Sequence, residues 1–144
     1  MQDLGVGVVG CGVISTIYMQ NMAAFRGLRL VACADIIGQA ARSQAEKFGI
    51  RALSIDALMR DPEVDLVVNL TTPSAHFEVS HSALTAGKHV FSEKPLCVSA
   101  EDGHRLVREA DRRGLKFGCA PDTFLGAGGR WAREIIDAGE VGSI

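Results

Sequence analysis

The chain has 144 residues, of which 47% are hydrophobic and 22% charged, and its formal net charge is −2. This is the composition of a globular chain of one domain, with enough apolar side chains to build a core. The net charge is nearly neutral and the basic residues are scattered, so the sequence indicates no basic patch that would bind nucleic acid or an anionic membrane surface. We therefore expect a small-molecule partner, with no nucleic acid and no membrane involved.

The cysteines and the first residues bear on the cellular compartment. The four cysteines are far apart, form no CxxC pair, and mostly lie in or beside apolar runs. This favours small buried thiols over a disulfide framework or a metal site. The chain starts without the basic segment and apolar stretch of a secretory signal, and no apolar run approaches the ~20 residues of a membrane span. We expect a cytoplasmic protein.

Short apolar runs typical of buried strands alternate with longer segments of helical periodicity. The predicted strands cover residues 4–9, 28–34, a short piece near 52, 65–70, 89–92 and 115–119. The predicted helices cover residues 14–25, 39–48, 55–59, a segment ending at 86, 99–113 and 129–138. Ser54 is expected to cap one helix, and Ser99 with Asp102 has the spacing of a capping box.

This alternation predicts the fold class. Strands and helices in strict succession form right-handed βαβ units, which give an α/β fold with a doubly wound parallel sheet covered by helices on both faces. We assign residues 1–122 to this Rossmann-type domain and residues 123–144 to a connecting helix and the start of a further domain. In such sheets ligands bind beyond the carboxyl ends of the strands, where the strand order reverses.

The first strand is followed by a glycine-rich turn, Gly10-Cys11-Gly12-Val13-Ile14-Ser15. It follows the G-x-G-x-x-G/A dinucleotide fingerprint, with serine in the third place, where a small residue is needed. The first glycine permits the tight turn, and the second lets the backbone approach a pyrophosphate at the amino terminus of the helix. Glycine turns end many strands without a ligand, so the turn alone is weak evidence.

An acid at the end of the second strand strengthens the dinucleotide hypothesis. Asp35 follows the turn by about 25 residues, the spacing at which an acid accepts hydrogen bonds from the adenosine ribose. No Arg or Lys stands in the adjacent Ile36-Ile37 loop to neutralise a 2′-phosphate, so NAD is favoured and NADP stays possible through Arg42. The alternative is that Asp35 only caps the next helix.

Two further loops fall at the same edge of the predicted sheet. Thr71-Thr72-Pro73-Ser74-Ala75-His76 ends the strongest strand, and Glu93-Lys94-Pro95 ends the next. With the fingerprint, the acid and the closing Gly139-Glu140-Val141-Gly142, these segments make the whole chain resemble the Gfo/Idh/MocA family. That family takes its name from glucose–fructose oxidoreductase, inositol dehydrogenase and rhizopine catabolism proteins.

The resemblance implies a set of roles at the site. Thr72, Pro73 and His76 would line the cofactor near its nicotinamide-side ribose and phosphates. They join Gly10, Gly12, Val13, Ile14, Asp35 and Thr71 as cofactor-binding residues. Glu93 would bind the nicotinamide ribose. Lys94 would contact the cofactor and, as the catalytic residue, would also reach the substrate hydroxyl. A cis peptide before Pro95 would orient the lysine side chain. His76 could equally sit on its helix with no ligand, Lys94 could be a surface lysine, and the role of Asp122 stays open.

The resemblance also implies an activity: an NAD-dependent dehydrogenase that moves a hydride between a nicotinamide cofactor and a sugar, polyol or related hydroxy compound. Complete relatives continue into a second α/β domain that supplies the main acid–base residues. We therefore expect a truncated chain, inactive alone, whose full form is a homo-oligomer assembled through that second domain. The alternatives are an NAD-binding sensor without turnover and, more weakly, a Rossmann-like methyltransferase.

Overall fold

The computed structural model describes residues 3–121 and 126–142. The strands are β1 (Leu4–Val9), β2 (Leu28–Ala34), β3 (Arg51–Leu53), β4 (Leu66–Asn69), β5 (His89–Ser92) and β6 (Phe117–Cys119). The helices are α1 (Ser15–Ala24), α2 (Gly38–Phe48), α3 (Ile55–Arg60), α4 (His76–Thr85), α5 (Ala100–Arg113) and α6 (Ala127–Asp137), and a 3₁₀ turn (Pro73–Ala75) precedes α4.

The six strands form one parallel sheet in the order β3-β2-β1-β4-β5-β6. The chain runs outward from β1 in one direction and, after β3, returns to β4 and continues in the other. The strand order therefore reverses between β1 and β4, which creates a crevice at the carboxyl ends of these strands. The predicted doubly wound Rossmann fold is confirmed.

Side chains on the two faces of the sheet belong to two separate cores. On β1, Val6 and Val8 pack with α1 and α2, while Val9 packs with α3, α4 and α5. The sheet is apolar on both faces because helices cover both, which explains why its strands read as continuous apolar runs. A β-carbon on Gly5 would lie 1.8 Å from the Glu63 carbonyl oxygen, so this strand tolerates only glycine at that place.

All of the predicted strands and helices are found, most of them with bounds within one residue of the prediction. The bounds of β1, β2 and β5 match the prediction, and Ser54 caps α3 by accepting a hydrogen bond from the Ala57 N–H at 3.1 Å. Ser99 caps α5 by accepting from Asp102 N–H at 3.4 Å, whereas the Asp102 carboxylate pairs with Arg105. Strand β4 is one residue shorter at each end than predicted, although the backbone of Asp65 still bonds to its neighbours: its N–H donates to the Gly5 carbonyl at 2.8 Å and its carbonyl accepts from the His89 N–H at 2.9 Å. The Asp65 carboxylate accepts from the Gly5 N–H at 2.8 Å.

Helix α6 differs from the others in its packing. Its periodicity is strongly amphipathic, yet none of its residues is buried, and Trp131 is 67% exposed.

On the α1 side of the sheet, an open apolar groove of about 530 Å³ lies between α1 and strands β4 and β5. Within the described part of the chain, no helix is both long and apolar enough to span a bilayer.

Candidate functional site

A cleft of about 500 Å³ opens at the carboxyl ends of β1, β2 and β4, where the strand order reverses. Its walls come from the β1–α1 turn, the loop after β2 and the loop after β4. They are lined by Val9, Gly10, Gly12, Val13, Ile14, Asp35, Ile36, Ile37, Ile55, Leu70, Thr71, Thr72 and Ala75. The cleft is thus built mainly from residues that the motifs had singled out.

The two glycines of the β1–α1 turn have different structural roles. Gly10 has a φ of 99°, and a β-carbon on it would lie 2.6 Å from the Leu70 carbonyl group. Apart from the two chain neighbours of Gly12, no described residue has an atom within 4 Å of the place where its β-carbon would be. Gly10 is therefore required by the fold, which packs this turn on the β4 loop, whereas Gly12 keeps space free on the cleft side.

The turn presents the start of α1 to the cleft. Ser15, in the third place of the fingerprint, is buried and donates its hydroxyl to the Gly12 carbonyl at 2.6 Å. No described side chain caps the helix at Ile14, and Val13 is 99% exposed at the mouth of the cleft. The amino-terminal N–H groups of a helix left without a side-chain cap form a site suited to a phosphate.

Asp35 is held by the turn that it faces. Its Oδ2 accepts from the Cys11 N–H at 2.7 Å, and its Oδ1 accepts from the Ile37 N–H at 2.7 Å. The residue that caps α2 is Ile37, without a side-chain hydrogen bond, so the alternative of Asp35 as the cap of that helix is wrong. Each carboxylate oxygen keeps a second acceptor position for a hydroxyl in the cleft.

The loop after β4 is shaped by a buried amide that sequence reasoning missed. Asn69 is fully buried; its Nδ2 donates to the His76 carbonyl and to the Ser80 hydroxyl, each at 3.0 Å. Its Oδ1 accepts from the Thr71 N–H at 3.2 Å and from the Thr71 hydroxyl at 2.7 Å. Every hydrogen-bonding group of this amide is engaged, so Thr71 is fixed at the cleft wall. An asparagine ending an apolar strand was the signal available.

His76 lies behind the cleft wall. It is only 1% exposed, with Nδ1 2.5 Å from the Pro95 carbonyl oxygen and Nε2 3.0 Å from the Thr71 carbonyl oxygen. The ring therefore joins the loop after β4 to the loop after β5. His76 therefore does more than occupy a position on its helix, because its ring connects two loops of the site.

The loop after β5 carries the Glu93-Lys94-Pro95 segment. The Lys94–Pro95 peptide is cis, as predicted. Glu93 is half-buried: its Oε2 accepts from the Lys94 N–H at 2.9 Å and its Oε1 from the Tyr18 hydroxyl at 2.6 Å. The Lys94 side chain is exposed. Glu93 lines the apolar groove beside α1 rather than the main cleft, and Ile14 lines both.

The structure thus brings most of the predicted site residues to one cleft and places the others at its edges. Gly10, Gly12, Val13, Ile14, Asp35, Thr71 and Thr72 line the cleft. Pro73 is exposed at the start of the 3₁₀ turn, His76 lies behind the wall, and Glu93 and Lys94 stand at the far end. Asp122 lies outside the described residues.

The cysteine in the turn is chemically quiet. The pKa of the Cys11 thiol is raised, chiefly by its hydrogen bond with Cys33, then by burial and by the charge of Asp35. Cys11 therefore stays protonated at neutral pH and supplies no thiolate to the cleft. All four cysteines are free; Cys11 and Cys33 are buried, as expected, while Cys97 and Cys119 are half-buried.

Known proteins are similar to this chain in sequence and in architecture. Residues 4–120 match the family model described as "Oxidoreductase family, NAD-binding Rossmann fold", the Gfo/Idh/MocA family. The inositol 2-dehydrogenase of Salmonella typhimurium is 31% identical over 96% of this chain and 43% of its own length. The dTDP-3,4-didehydro-2,6-dideoxy-alpha-D-glucose 3-reductase of Streptomyces violaceoruber is 35% identical over 100% of this chain and 43% of its own.

A solved structure gives the same picture. The scyllo-inositol dehydrogenase of Lactobacillus casei, with bound NAD(H) and scyllo-inositol, superposes with a TM-score of 0.91 at 25% identity, over 99% of this chain and 43% of that one. The chain therefore spans less than half the length of the relatives that it matches. With the fingerprint turn, the acid and the cleft in place, the chain belongs to the Gfo/Idh/MocA oxidoreductase family and is its NAD-binding Rossmann domain.

Proposed function

We propose that the cleft holds NAD across the carboxyl ends of β1, β2 and β4. The observation that carries this proposal is the pairing of free space at Gly12 with the Asp35 carboxylate, which the Cys11 N–H of the same turn holds at 2.7 Å. A pyrophosphate can approach the backbone at the first feature, and a ribose diol can donate hydrogen bonds to the second.

The same carboxylate supports NAD over NADP. A 2′-phosphate would meet the negative charge of Asp35 and would have to lose its water there. Arg42, the cation considered as a phosphate partner, is exposed on α2 and donates to Gln39 Oε1 at 3.0 and 3.3 Å, so binding a 2′-phosphate would have to compete with that contact. Exposed apolar side chains follow the acid, with Ile36 90% exposed, and offer a surface for a flat base.

We propose that Thr71, Thr72, Pro73 and Glu93 continue the binding site toward the nicotinamide end. Thr71 and Thr72 line the cleft wall, and Glu93 lines the neighbouring groove that also contains Ile14. His76 contributes from behind the wall, by tying the loop of Thr71 to the loop of Pro95. Its predicted contact with the cofactor is thereby replaced by support of the two loops that make such contacts.

The reaction that we propose is hydride transfer from a sugar or polyol carbon bearing a hydroxyl. When bound, NAD supplies a nicotinamide ring that accepts the hydride. Lys94, exposed next to Glu93, donates a hydrogen bond to the substrate oxygen and stabilises the negative charge that develops there. The proton acceptor, the substrate pocket and the contacts of a homo-oligomer come from a second domain, for which residues 123–144 form the connection.

Three observations support the proposal of a second domain. The chain covers 43% of the length of its relatives, and α6 displays an amphipathic face without a single buried residue. The open apolar groove beside α1 has the same character. Surfaces of this kind are costly to leave in water and are typical of faces that another unit covers.

Replacing Lys94 with alanine tests the enzymatic role. In the full product of the gene, supplied with NAD and a panel of polyols and sugars, we expect Lys94→Ala to lower kcat by about a hundredfold or more, since one charge-stabilising donor is worth that much. The affinity for NAD should stay within about twofold, which is below 0.5 kcal/mol. Reduced-cofactor absorbance and a parallel NAD titration measure the two quantities.

Lys116→Ala is the matched control, because Lys116 is also exposed but precedes β6 and so lies at the amino ends of the strands, whereas Lys94 follows β5 at their carboxyl ends. It should leave both quantities unchanged. A full product that binds NAD and oxidises nothing in the panel would favour the sensor over the dehydrogenase. Turnover by the 144-residue chain as fast as that of the full product would contradict the two-domain mechanism.

A further inference from the structure

We infer that Tyr18 is a positioning residue for the cofactor, acting through Glu93. Neither the fingerprint nor the Glu-Lys-Pro segment includes it, and the sequence pattern marks it only as one of several larger side chains along α1. The inference rests on the proposed function, because it assumes that Glu93 binds the ribose at the nicotinamide end.

The contact itself is short and charged. The Tyr18 hydroxyl donates to Glu93 Oε1 at 2.6 Å, and both residues are half-buried. Hydrogen bonds from a neutral hydroxyl to a carboxylate are shorter and stronger than those between neutral groups. The second oxygen, Oε2, is held by the Lys94 N–H at 2.9 Å. Both oxygens of the carboxylate are thus anchored, which fixes its plane.

The backbone of Glu93 is anchored separately. Its N–H donates to the Asn69 carbonyl at 2.9 Å, so β4 holds the main chain whatever Tyr18 does. The tyrosine therefore determines where the carboxylate points, while the strand determines where the residue is. Removing only the hydroxyl should free the carboxylate to rotate without displacing the loop.

The position of Tyr18 on α1 links the two ends of the cofactor. Ile14 lies one helical turn before Tyr18, at the helix start that we propose binds the pyrophosphate, and both residues line the groove that contains Glu93. Residues four apart share one face of a helix. One rigid helix thus presents N–H groups to the phosphates and, one turn later, a hydroxyl to the carboxylate that binds the neighbouring ribose.

The test compares NAD with ADP, which carries the adenosine and phosphate parts but lacks the nicotinamide ribose. Both are titrated into the 144-residue chain by calorimetry. Tyr18→Phe keeps the ring and removes the hydroxyl. We expect its Kd for NAD to rise about three- to tenfold, while its Kd for ADP stays unchanged. This is less than the roughly ten- to hundredfold effect of losing a hydrogen bond to a charged group in direct contact with the ligand, because the Lys94 N–H still holds the other oxygen of the Glu93 carboxylate. A general structural defect would weaken both ligands.

A double-mutant cycle shows whether the effect passes through Glu93. If it does, Tyr18→Phe added to Glu93→Ala should cause no further loss of NAD affinity, since the two residues act as one unit. Because Tyr18 is the only tyrosine in the sequence, ¹³C-labelled tyrosine gives one NMR signal. That signal should shift on addition of NAD and stay in place on addition of ADP.

Three outcomes would overturn the inference while leaving the proposed function intact: wild-type NAD affinity in Tyr18→Phe, equal losses for NAD and ADP, or additive losses in the cycle. Failure of the wild-type chain to bind NAD would instead overturn the proposed function together with this inference.

Discussion

The substitution Gly12→Val should lower the affinity for NAD by about a hundredfold or more, equivalent to roughly 2.8 kcal/mol, without changing the stability of the chain. The reason is steric and specific to the ligand. Among the described residues, none except the two chain neighbours has an atom within 4 Å of a β-carbon at Gly12, and the φ of Gly12 is outside the left-handed region, so the fold has room for the larger residue. The added methyl groups would occupy the space that a pyrophosphate needs.

The measurement is calorimetric titration of wild-type and variant chains, with thermal unfolding recorded on the same samples. Gly128→Val is the matched control, because Gly128 also has open space around it but lies on α6, away from the cleft. It should leave NAD affinity unchanged. An unaltered Kd in Gly12→Val would mean that the turn serves the fold alone.

The substitution Gly10→Ala should act in the opposite way, on the fold before the ligand. We expect it to lower the free energy of unfolding by about 3 kcal/mol or more, the combined cost of a strained φ and an overpacked contact. The φ of Gly10 is 99°, and the added β-carbon would lie 2.6 Å from the Leu70 carbonyl group and 2.8 Å from the Thr71 nitrogen. Backbone atoms cannot move aside cheaply.

Gly114→Ala separates the two causes, because Gly114 has a φ of 66° while no described residue beyond its chain neighbours has an atom within 4 Å of its β-carbon position. It should cost only about 1 kcal/mol, the steric penalty of a left-handed conformation. Denaturant unfolding of both variants measures the difference. Gly10→Ala no more destabilised than Gly114→Ala would contradict the close packing of the β1–α1 turn on the β4 loop.

Much of the fold could be predicted from the sequence because its signals are local. The apolar runs of β1, β2 and β5 are bounded by polar or glycine residues, and α2 and α5 end at Gly49 and Gly114, both in the left-handed conformation. The cleft was predictable for the same reason. A glycine turn after one strand and an acid after the next are both read along the chain, and parallel topology brings them together.

The remaining parts of the site depend on contacts between distant segments. Nothing in the sequence around His76 indicates that its ring meets the carbonyls of Thr71 and Pro95, nor that Tyr18 reaches Glu93, which is 75 residues further along the chain. Side-chain direction on a helix can be inferred from periodicity, but the partner cannot. The role of Asn69 could not be predicted for a related reason, because a polar residue at the end of an apolar strand resembles the start of a loop.

Titration of the 144-residue chain with NAD and, separately, with NADP is the most direct measurement of the cofactor site. Saturable binding of one NAD with a Kd below about 1 mM is expected, within the range in which enzymes hold such ligands. NADP should bind about tenfold more weakly or worse, roughly 1.4 kcal/mol, because Asp35 repels its 2′-phosphate. A folded chain that shows no saturable NAD binding would contradict the assignment of the cleft, and tighter binding of NADP would contradict the role of Asp35.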